Sequence, residues 1–253
     1  MTCLYNTVGA ADESQFAAKR PVVLIVADVY GSPNVSGERE YRLRAQYSAA
    51  IAQAGGLALL LPHDACQIAA VIALADGLLV TGSMPGAAQD PQRDQFERGL
   101  VELALERGLP VLGICHGMQV IGQCLGGTLV RDDPKLLAEV TPHIPKLVPD
   151  ESAHEITIEA NSQLMAWSNM ARGRVNSLHR HALLENGNYR VTARADDGVV
   201  EAIEGLRDSF CMGVQWHPEF HLTTLDKRIF SGFIEHCVAW ARGQQMAKKA
   251  LAV

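Results

Sequence analysis

The sequence has no apolar run long enough to cross a membrane. Its longest runs, such as LALLLP from Leu57, are far shorter than the roughly 20 residues that a transmembrane helix needs. The N-terminal segment carries acidic residues before any basic one and lacks a signal-like apolar core. These absences predict a cytoplasmic protein with no membrane partner.

Clustered positive charge and paired cysteines are also missing. The formal net charge is -6, and no basic stripe is present that could offset phosphate repulsion, so we expect no nucleic-acid partner. The six cysteines form no CxxC pair and have no regular spacing. Such usage is typical of reduced thiols and not of a disulfide framework or a zinc site.

The 253 residues, 48% of them hydrophobic and 20% charged, are enough for one α/β domain or two small ones. Apolar runs of strand length alternate with stretches of helical periodicity, and runs rich in Val, Ile and Leu indicate parallel strands covered on both faces. The later strands follow one another with few helices between them, which predicts an antiparallel extension at one edge. The predicted fold is α/β, a doubly wound, mostly parallel, flavodoxin-like sheet with that extension. The predicted strands are residues 22–28, 57–62, 77–82 and 109–114, and the helices between them are residues 38–55, 64–74 and 89–108.

The predicted domain covers residues 21–242. Residues 1–20 are expected to form an N-terminal tail, and residues 243–253 a frayed C-terminal tail. A loop at residues 132–150 is long enough to be functional.

The stretch GICHG sets Cys115 between an apolar strand and a helix-compatible segment, with glycines two residues away on both sides. In an open α/β sheet the carboxyl ends of the strands are where chemistry takes place. Small flanking residues allow a sharp strand-to-helix turn that projects a nucleophile, and a helix N-terminus favours the thiolate. The alternative for a single cysteine is a buried core thiol.

The stretch VQWHPEF places His217 and Glu219 two residues apart, directly after a predicted strand. In extended geometry the two side chains can point the same way, and Pro218 stiffens the link between them. A nucleophilic thiol needs a base and a group that orients the base. A histidine followed by an acid is common by chance, so the pair becomes specific only together with Cys115.

GICHGMQ followed about a hundred residues later by GVQWHPE resembles the class I glutamine amidotransferase fold, with a triad of Cys115, His217 and Glu219. AGGLALLLP, LGGTL and VNSLHRHAL followed by ARADDGVVEAIE resemble the branch that contains γ-glutamyl-γ-aminobutyrate hydrolase, the peptidase C26 branch. The resemblance extends from residue 21 to residue 240.

The resemblance implies two backbone N–H donors for the oxyanion, one from His116 and one from Gly82 or Ser83. Similar hydrolases have a longer glycine-rich loop than TGSMPG, and without the triad this segment would equally be an ordinary turn. The resemblance also implies residues around the substrate's amino-acid end. These candidates are Gln119, one helical turn after the nucleophile, together with Asn176, Ser177, His179 and His181.

We expect no cofactor and no metal, because neither a carboxylate nor a third histidine shows ligand spacing with His179 and His181. The remaining histidines are isolated in the sequence and are interpreted as surface or loop residues. They are His63, His143, His154, His221 and His236.

The sequence therefore predicts a cysteine hydrolase that cleaves the γ-glutamyl amide bond of a small conjugate through a thioester, releasing glutamate and an amine. The partner is then a small-molecule γ-glutamyl amide, and the resemblance also allows a homodimer, because many related hydrolases pair. One alternative is a glutaminase that delivers ammonia to a synthetase. Another is a noncatalytic redox or chaperone thiol protein. The proximity of His217 to Cys115 in the folded chain discriminates between the two enzyme hypotheses and the last one.

Overall fold

The computed structural model describes residues 20–30, 40–83, 90–132, 143–144 and 150–251. In chain order the strands are β1 (Val22–Val26), β2 (Asp28–Tyr30), β3 (Glu40–Arg42), β4 (Leu57–Leu61), β5 (Gly77–Val80), β6 (Val111–Ile114), β7 (Leu129–Val130), β8 (His154–Ile158), β9 (Arg172–Val175), β10 (Ala182–Leu183), β11 (Tyr189–Ala195), β12 (Val200–Gly205) and β13 (Cys211–Val214). The helices are α1 (Ala45–Gln53), α2 (Ile68–Ile72), α3 (Pro91–Glu106), α4 (His116–Cys124), α5 (Gln163–Ser168) and α6 (Thr224–Leu251).

The main sheet of the described residues has nine strands in the order β4-β1-β5-β6-β13-β12-β11-β8-β9. The first five strands are mutually parallel. From β12 onward each strand runs antiparallel to its neighbour. The predicted mostly parallel sheet with an antiparallel edge extension is confirmed.

The strands β5, β6 and β13 are buried on both faces, as their apolar runs predict, whereas the edge strand β4 leaves three of its five residues exposed. One hydrophobic cluster packs α1 and α6 on the sheet, with Tyr47 and Phe233 among its residues. The other packs α3 and α4 on the opposite face, with Phe96 and Met118 among its residues. The elements that follow the central strands are therefore held in fixed positions over the sheet.

Helix α3 begins where the sequence provides a cap. Asp90 accepts hydrogen bonds from the backbone N–H groups of Gln92 and Arg93, and Pro91 occupies the first helical turn. The buried face of the helix carries Phe96, but it also carries the charged side chains of Arg93 and Glu97. These two charged residues, four positions apart, lie next to the candidate site described below.

Two segments differ from the sequence prediction. The helix expected over residues 38–55 begins at Ala45, because Glu40–Arg42 forms strand β3 against β2, a pairing that no local pattern indicates. Residues 243–251, expected to be a frayed tail, continue α6, and residues 242–246 are exposed or half-exposed. The N-terminal tail lies outside the described residues except for Arg20, which donates a hydrogen bond to the Gly55 carbonyl at 3.2 Å. Most of the predicted loop at 132–150 also lies outside them.

Among the described helices, none combines the length and the apolar character needed to cross a lipid bilayer.

Candidate active site

Three neighbouring strands of the parallel half deliver the candidate residues to one edge of the sheet. β6 lies between β5 and β13, and all three run in the same direction. Cys115 follows β6, Gly82 follows β5 by two residues, and His217 follows β13 by three residues. The carboxyl ends of these strands are the usual position of an active site in such a sheet.

Cys115 occupies a sharp turn between β6 and α4, with φ 54° and ψ -105°. A positive φ is strained for a residue with a side chain and is frequent at functional sites. The turn requires the glycines around it, since a Cβ on Gly113 would lie 2.5 Å from the backbone carbonyl atoms of Gly117. Gly117 in turn lies directly against the Val80 carbonyl at the end of β5. The thiol is buried and stands at the N-terminus of α4.

His217 and Glu219 form a buried pair beside this thiol. The distance from His217 Nδ1 to Glu219 Oε1 is 2.8 Å, and both side chains are buried. Burial alone would lower the pKa of His217, but the negative charges of Glu219 and Cys115 outweigh it and raise the pKa to about 10. His217 Nε2 has no hydrogen-bond partner among the described residues and is the ring nitrogen left for the thiol. The pair can therefore hold a proton for transfer to a group bound at Cys115.

The Asn176 side-chain amide holds the backbone of His217 on both sides. The sequence indicates Asn176 only as a residue near the substrate. Asn176 Nδ2 donates to the His217 carbonyl at 3.0 Å, and the His217 N–H donates to Asn176 Oδ1 at 2.8 Å. Both bonds are buried. Asn176 thus fixes the position from which His217 reaches Cys115.

The segment after β5 lies against both reacting side chains. A Cβ on Gly82 would lie 2.9 Å from His217 Cε1 and 3.4 Å from Cys115 Cβ. The Gly82 N–H donates to the Tyr47 hydroxyl at 3.1 Å, so this amide is already used within the protein. Of the two predicted donors, Ser83 is therefore the better candidate to supply an amide for an oxyanion beside that of His116. In the sequence, Tyr47 shares one face of the predicted helix at residues 38–55 with Leu43, Ile51 and Ala54, which indicates only a core position.

The His116 side chain connects the nucleophile turn to a buried chain of charges. His116 Nε2 lies 2.7 Å from Glu97 Oε2, and Arg93 Nε donates to Glu97 Oε1 at 2.8 Å. Arg93 also forms an ion pair with Asp28. Burial would raise the pKa of Glu97, but His116 and Arg93 lower it overall. This chain holds the turn from the α3 side.

The predicted substrate-binding residues have different surroundings. Gln119 is buried, and its Nε2 donates to Gln215 Oε1 at 3.1 Å and to the His181 carbonyl at 3.3 Å. His181 is half-buried, and its Nδ1 accepts from the Asp132 N–H at 3.0 Å. Ser177 is fully buried and donates to the His143 carbonyl at 2.7 Å. The structure therefore does not bring Ser177 to a substrate-facing surface, because its hydroxyl is used inside the protein.

His179 belongs to a buried cluster that sequence reasoning missed. One ligand-type atom from each of four buried side chains lies within 4.8 Å of the others. The expectation that His154 is a surface or loop residue is wrong, because it begins β8 and is buried in this cluster. His143 lies outside the helices and strands, as expected, but it is buried in the same cluster. Their separation in the sequence resembles no metal motif, so no local pattern could have grouped them. The four residues are His143, His154, His179 and Glu201.

The comparisons with known proteins agree with this geometry. The sequence profile of the peptidase C26 family matches residues 21–219. The chain is 33% identical over 227 residues to γ-glutamyl-γ-aminobutyrate hydrolase PuuD of Escherichia coli K12, a match that covers 80% of this chain and 89% of that protein. It is 32% identical over 230 residues to γ-glutamyl-γ-aminobutyrate hydrolase of Shigella flexneri, covering 81% and 89%. A solved structure from Thermoplasma acidophilum, described as a component of GMP synthase, shares the fold, with TM-score 0.65 and 17% identity over 90% of this chain and 99% of that one.

Proposed function

Because the chain belongs to the peptidase C26 family of class I glutamine amidotransferase-like hydrolases, we propose that it hydrolyses the γ-glutamyl amide bond of a small γ-glutamyl amine. The observation that carries the proposal is the strained Cys115 turn beside the buried His217 and Glu219 pair. Cys115 is the nucleophile, His217 the base and acid, and Glu219 the group that orients His217.

In the first half of the reaction, the Cys115 thiolate attacks the γ-carbonyl carbon of the substrate. The carbonyl oxygen becomes negatively charged and is stabilised by the backbone N–H groups of His116 and Ser83. The C–N bond then breaks, and His217 gives its proton to the leaving amine. The raised pKa of His217 supports this step, because the imidazolium is present at neutral pH. The product of this half is a γ-glutamyl thioester on Cys115.

In the second half, water attacks the thioester carbon and gives a proton to His217. The C–S bond breaks, Cys115 leaves as a thiolate, and glutamate is released. Glu219 Oε1 accepts a hydrogen bond from the His217 Nδ1–H throughout the reaction, which keeps Nε2 directed at the reacting atoms. The enzyme returns to its starting state with His217 protonated and Cys115 negative.

The test is a panel of substrates that contains a γ-glutamyl aliphatic amine, a γ-glutamyl polyamine, a γ-glutamyl aromatic amine and glutamine, each scored by glutamate release. We expect at least one γ-glutamyl amine to turn over at about 1 per second or faster and to have a higher kcat/KM than glutamine. Cys115→Ser abolishes turnover, whereas Cys124→Ser, at the far end of the same helix, leaves it intact. Activity on glutamine alone would favour a glutaminase, and no activity on any member would favour a noncatalytic thiol protein. We also propose that the protein is cytoplasmic and forms a homodimer.

A further inference from the structure

The buried cluster gathers side chains from four separate segments of the chain. His154 begins β8, Glu201 lies in β12, His179 lies between β9 and β10, and His143 precedes β8. All four are at most 4% exposed. Three imidazoles and a carboxylate at this depth need either protons or a cation between them, since buried polar groups without partners are destabilising.

Four of the six distances between the inward-facing atoms have the length of a tetrahedral edge. Glu201 Oε1 lies 3.4 Å from His143 Nδ1, 3.4 Å from His154 Nε2 and 3.4 Å from His179 Nε2. His143 Nδ1 lies 3.2 Å from His179 Nε2. Ligand atoms at the usual Zn–N and Zn–O bond lengths of about 2.0–2.1 Å are separated by about 3.3 Å along a tetrahedral edge. Four of the six edges therefore match the size of a zinc tetrahedron, and the two edges from His154 Nε2 to the other imidazole nitrogens are at most 4.8 Å.

The outward-facing ring nitrogens all meet hydrogen-bond acceptors. His143 Nε2 lies 2.8 Å from Asp197 Oδ2, and His154 Nδ1 lies 3.2 Å from the Glu155 carbonyl. His179 Nδ1 lies 3.2 Å from the His181 carbonyl. Because these acceptors are oxygen atoms, each outer ring nitrogen must carry the hydrogen of the bond. In a neutral imidazole the inner nitrogen then has a lone pair that points into the cluster. Outer acceptors of this kind are what orients histidine ligands around a metal.

The inward-facing atoms themselves lack donors. His154 Nε2 and both carboxylate oxygens of Glu201 have no hydrogen-bond partner among the described residues. His143 Nδ1 and His179 Nε2 would direct lone pairs at each other unless a proton or a cation lies between them. A single cation at the centre satisfies all four acceptors at once.

We propose that His143, His154, His179 and Glu201 bind one structural zinc ion. Imidazole and carboxylate ligands suit Zn²⁺, and four protein ligands complete its tetrahedron, so no position is left for a substrate or a reactive water. The ion joins strands β8 and β12 to the connection at residues 176–181. That connection carries Asn176, which holds the His217 backbone, so the ion stabilises the support of the candidate triad without taking part in its chemistry.

The test measures metal content directly. Untagged protein purified without chelators is analysed by inductively coupled plasma mass spectrometry, and we expect about one zinc per chain. Replacement by Co²⁺ gives the visible absorption of a tetrahedral nitrogen and oxygen site, and this readout needs no variant and no activity. A strong chelator lowers the thermal midpoint of unfolding, and added Zn²⁺ restores it.

The variants locate the ion. His154→Gln and Glu201→Gln lose the zinc, whereas His236→Gln, the same histidine substitution outside the cluster, retains it. Cys115→Ser also retains it, which separates this site from metal bound adventitiously at the candidate triad. Wild-type protein that neither contains zinc nor binds an equivalent of Zn²⁺ or Co²⁺ would overturn the proposal and leave a cluster held together by protons. Zinc that persists in His154→Gln, or that is lost in Cys115→Ser, would overturn it as well.

Discussion

Gly117→Ala is the substitution by which the candidate nucleophile turn can be tested most sharply. Gly117 lies in the first turn of α4, against the end of β5. An added Cβ would lie 2.6 Å from the Val80 carbonyl carbon and 3.0 Å from Val80 Cβ, and nearer still to the Val80 carbonyl oxygen. Carbon atoms in ordinary contact are about 3.5–4.0 Å apart. Because the obstructing atoms include backbone, the start of α4 must move away from β5 by roughly 1 Å.

This displacement affects catalysis more than stability. Overpacking of this kind costs about 1–3 kcal/mol of unfolding free energy, which a domain of this size can tolerate. The start of α4 carries Cys115 and the His116 N–H, whereas Val80 leads into the segment that carries Ser83. The substitution therefore separates the nucleophile and one oxyanion donor from the other donor. A misplacement of about 1 Å can lower a rate by about 100-fold, so we expect kcat to fall by that factor.

Glutamate release gives kcat, and urea unfolding gives the free energy of unfolding for the same preparation. The matched control is Gly99→Ala in α3, where the nearest atom to an added Cβ is the flexible Ile68 Cδ1 at 3.3 Å. Alanine favours a helix interior over glycine by about 1 kcal/mol, so this control should keep its activity and its stability. Folded Gly117→Ala protein with wild-type kcat would refute the argument that the turn depends on this close approach.

Four further predictions concern the candidate triad and its surroundings. Iodoacetamide should modify Cys115 before the exposed Cys66, because Cys115 stands at the N-terminus of α4 beside the His217 imidazolium, and mass mapping that finds Cys66 first would contradict this arrangement. His217→Ala should abolish turnover, whereas Glu219→Gln should retain a small part of it, since an orienting group contributes less than the base that it holds. In wild-type protein the imidazolium is present below its pKa of about 10 and lost above it, so kcat/KM, which reports the free enzyme, should fall as the pH rises through about 10. Glu219→Gln should move that fall to lower pH, because the buried His217 then loses the negative charge that raises its pKa, and an unmoved pH profile would exclude the role of Glu219. Glu97→Gln should lower the unfolding free energy by about 1–3 kcal/mol at pH 7. Because the pKa of Glu97 is lowered in the folded protein, wild-type protein should lose this advantage as the pH falls below the ordinary glutamate range. Urea unfolding of both proteins at several pH values measures the difference.

The parts of the fold that could be predicted are those with a local pattern. Continuous apolar runs predict the parallel strands, and β5, β6 and β13 are buried on both faces. The GICHG and HPE motifs indicate a turn and a two-residue spacing that depend on neighbouring residues. Because β5, β6 and β13 are parallel neighbours, their carboxyl ends bring these motifs to one edge of the sheet. The family follows from the same motifs.

The parts that could not be predicted depend on contacts between distant segments. The apolar face of α1 predicts Tyr47 as core, and nothing local indicates that its hydroxyl accepts the Gly82 N–H. The sequence predicts helix where strand β3 forms, because the pairing with β2 is not encoded in the three residues of β3. The zinc candidates come from segments 11 to 25 residues apart in the chain, and only the folding of β8, β12 and the connections around them brings them together.

The two halves of the sheet therefore contribute differently to the candidate site. The parallel half carries the candidate catalytic groups, and these groups belong to two short sequence motifs. The antiparallel half supports them from the side, since the Gln215 N–H donates to the Glu201 carbonyl at 2.7 Å and Asn176 holds His217. Because Gln215 lies two residues before His217 and Glu201 lies in the proposed zinc site, a change in that site reaches the triad through backbone contacts. Loss of the zinc should then lower kcat and slow the alkylation of Cys115 by iodoacetamide, because both depend on His217 lying beside the thiol.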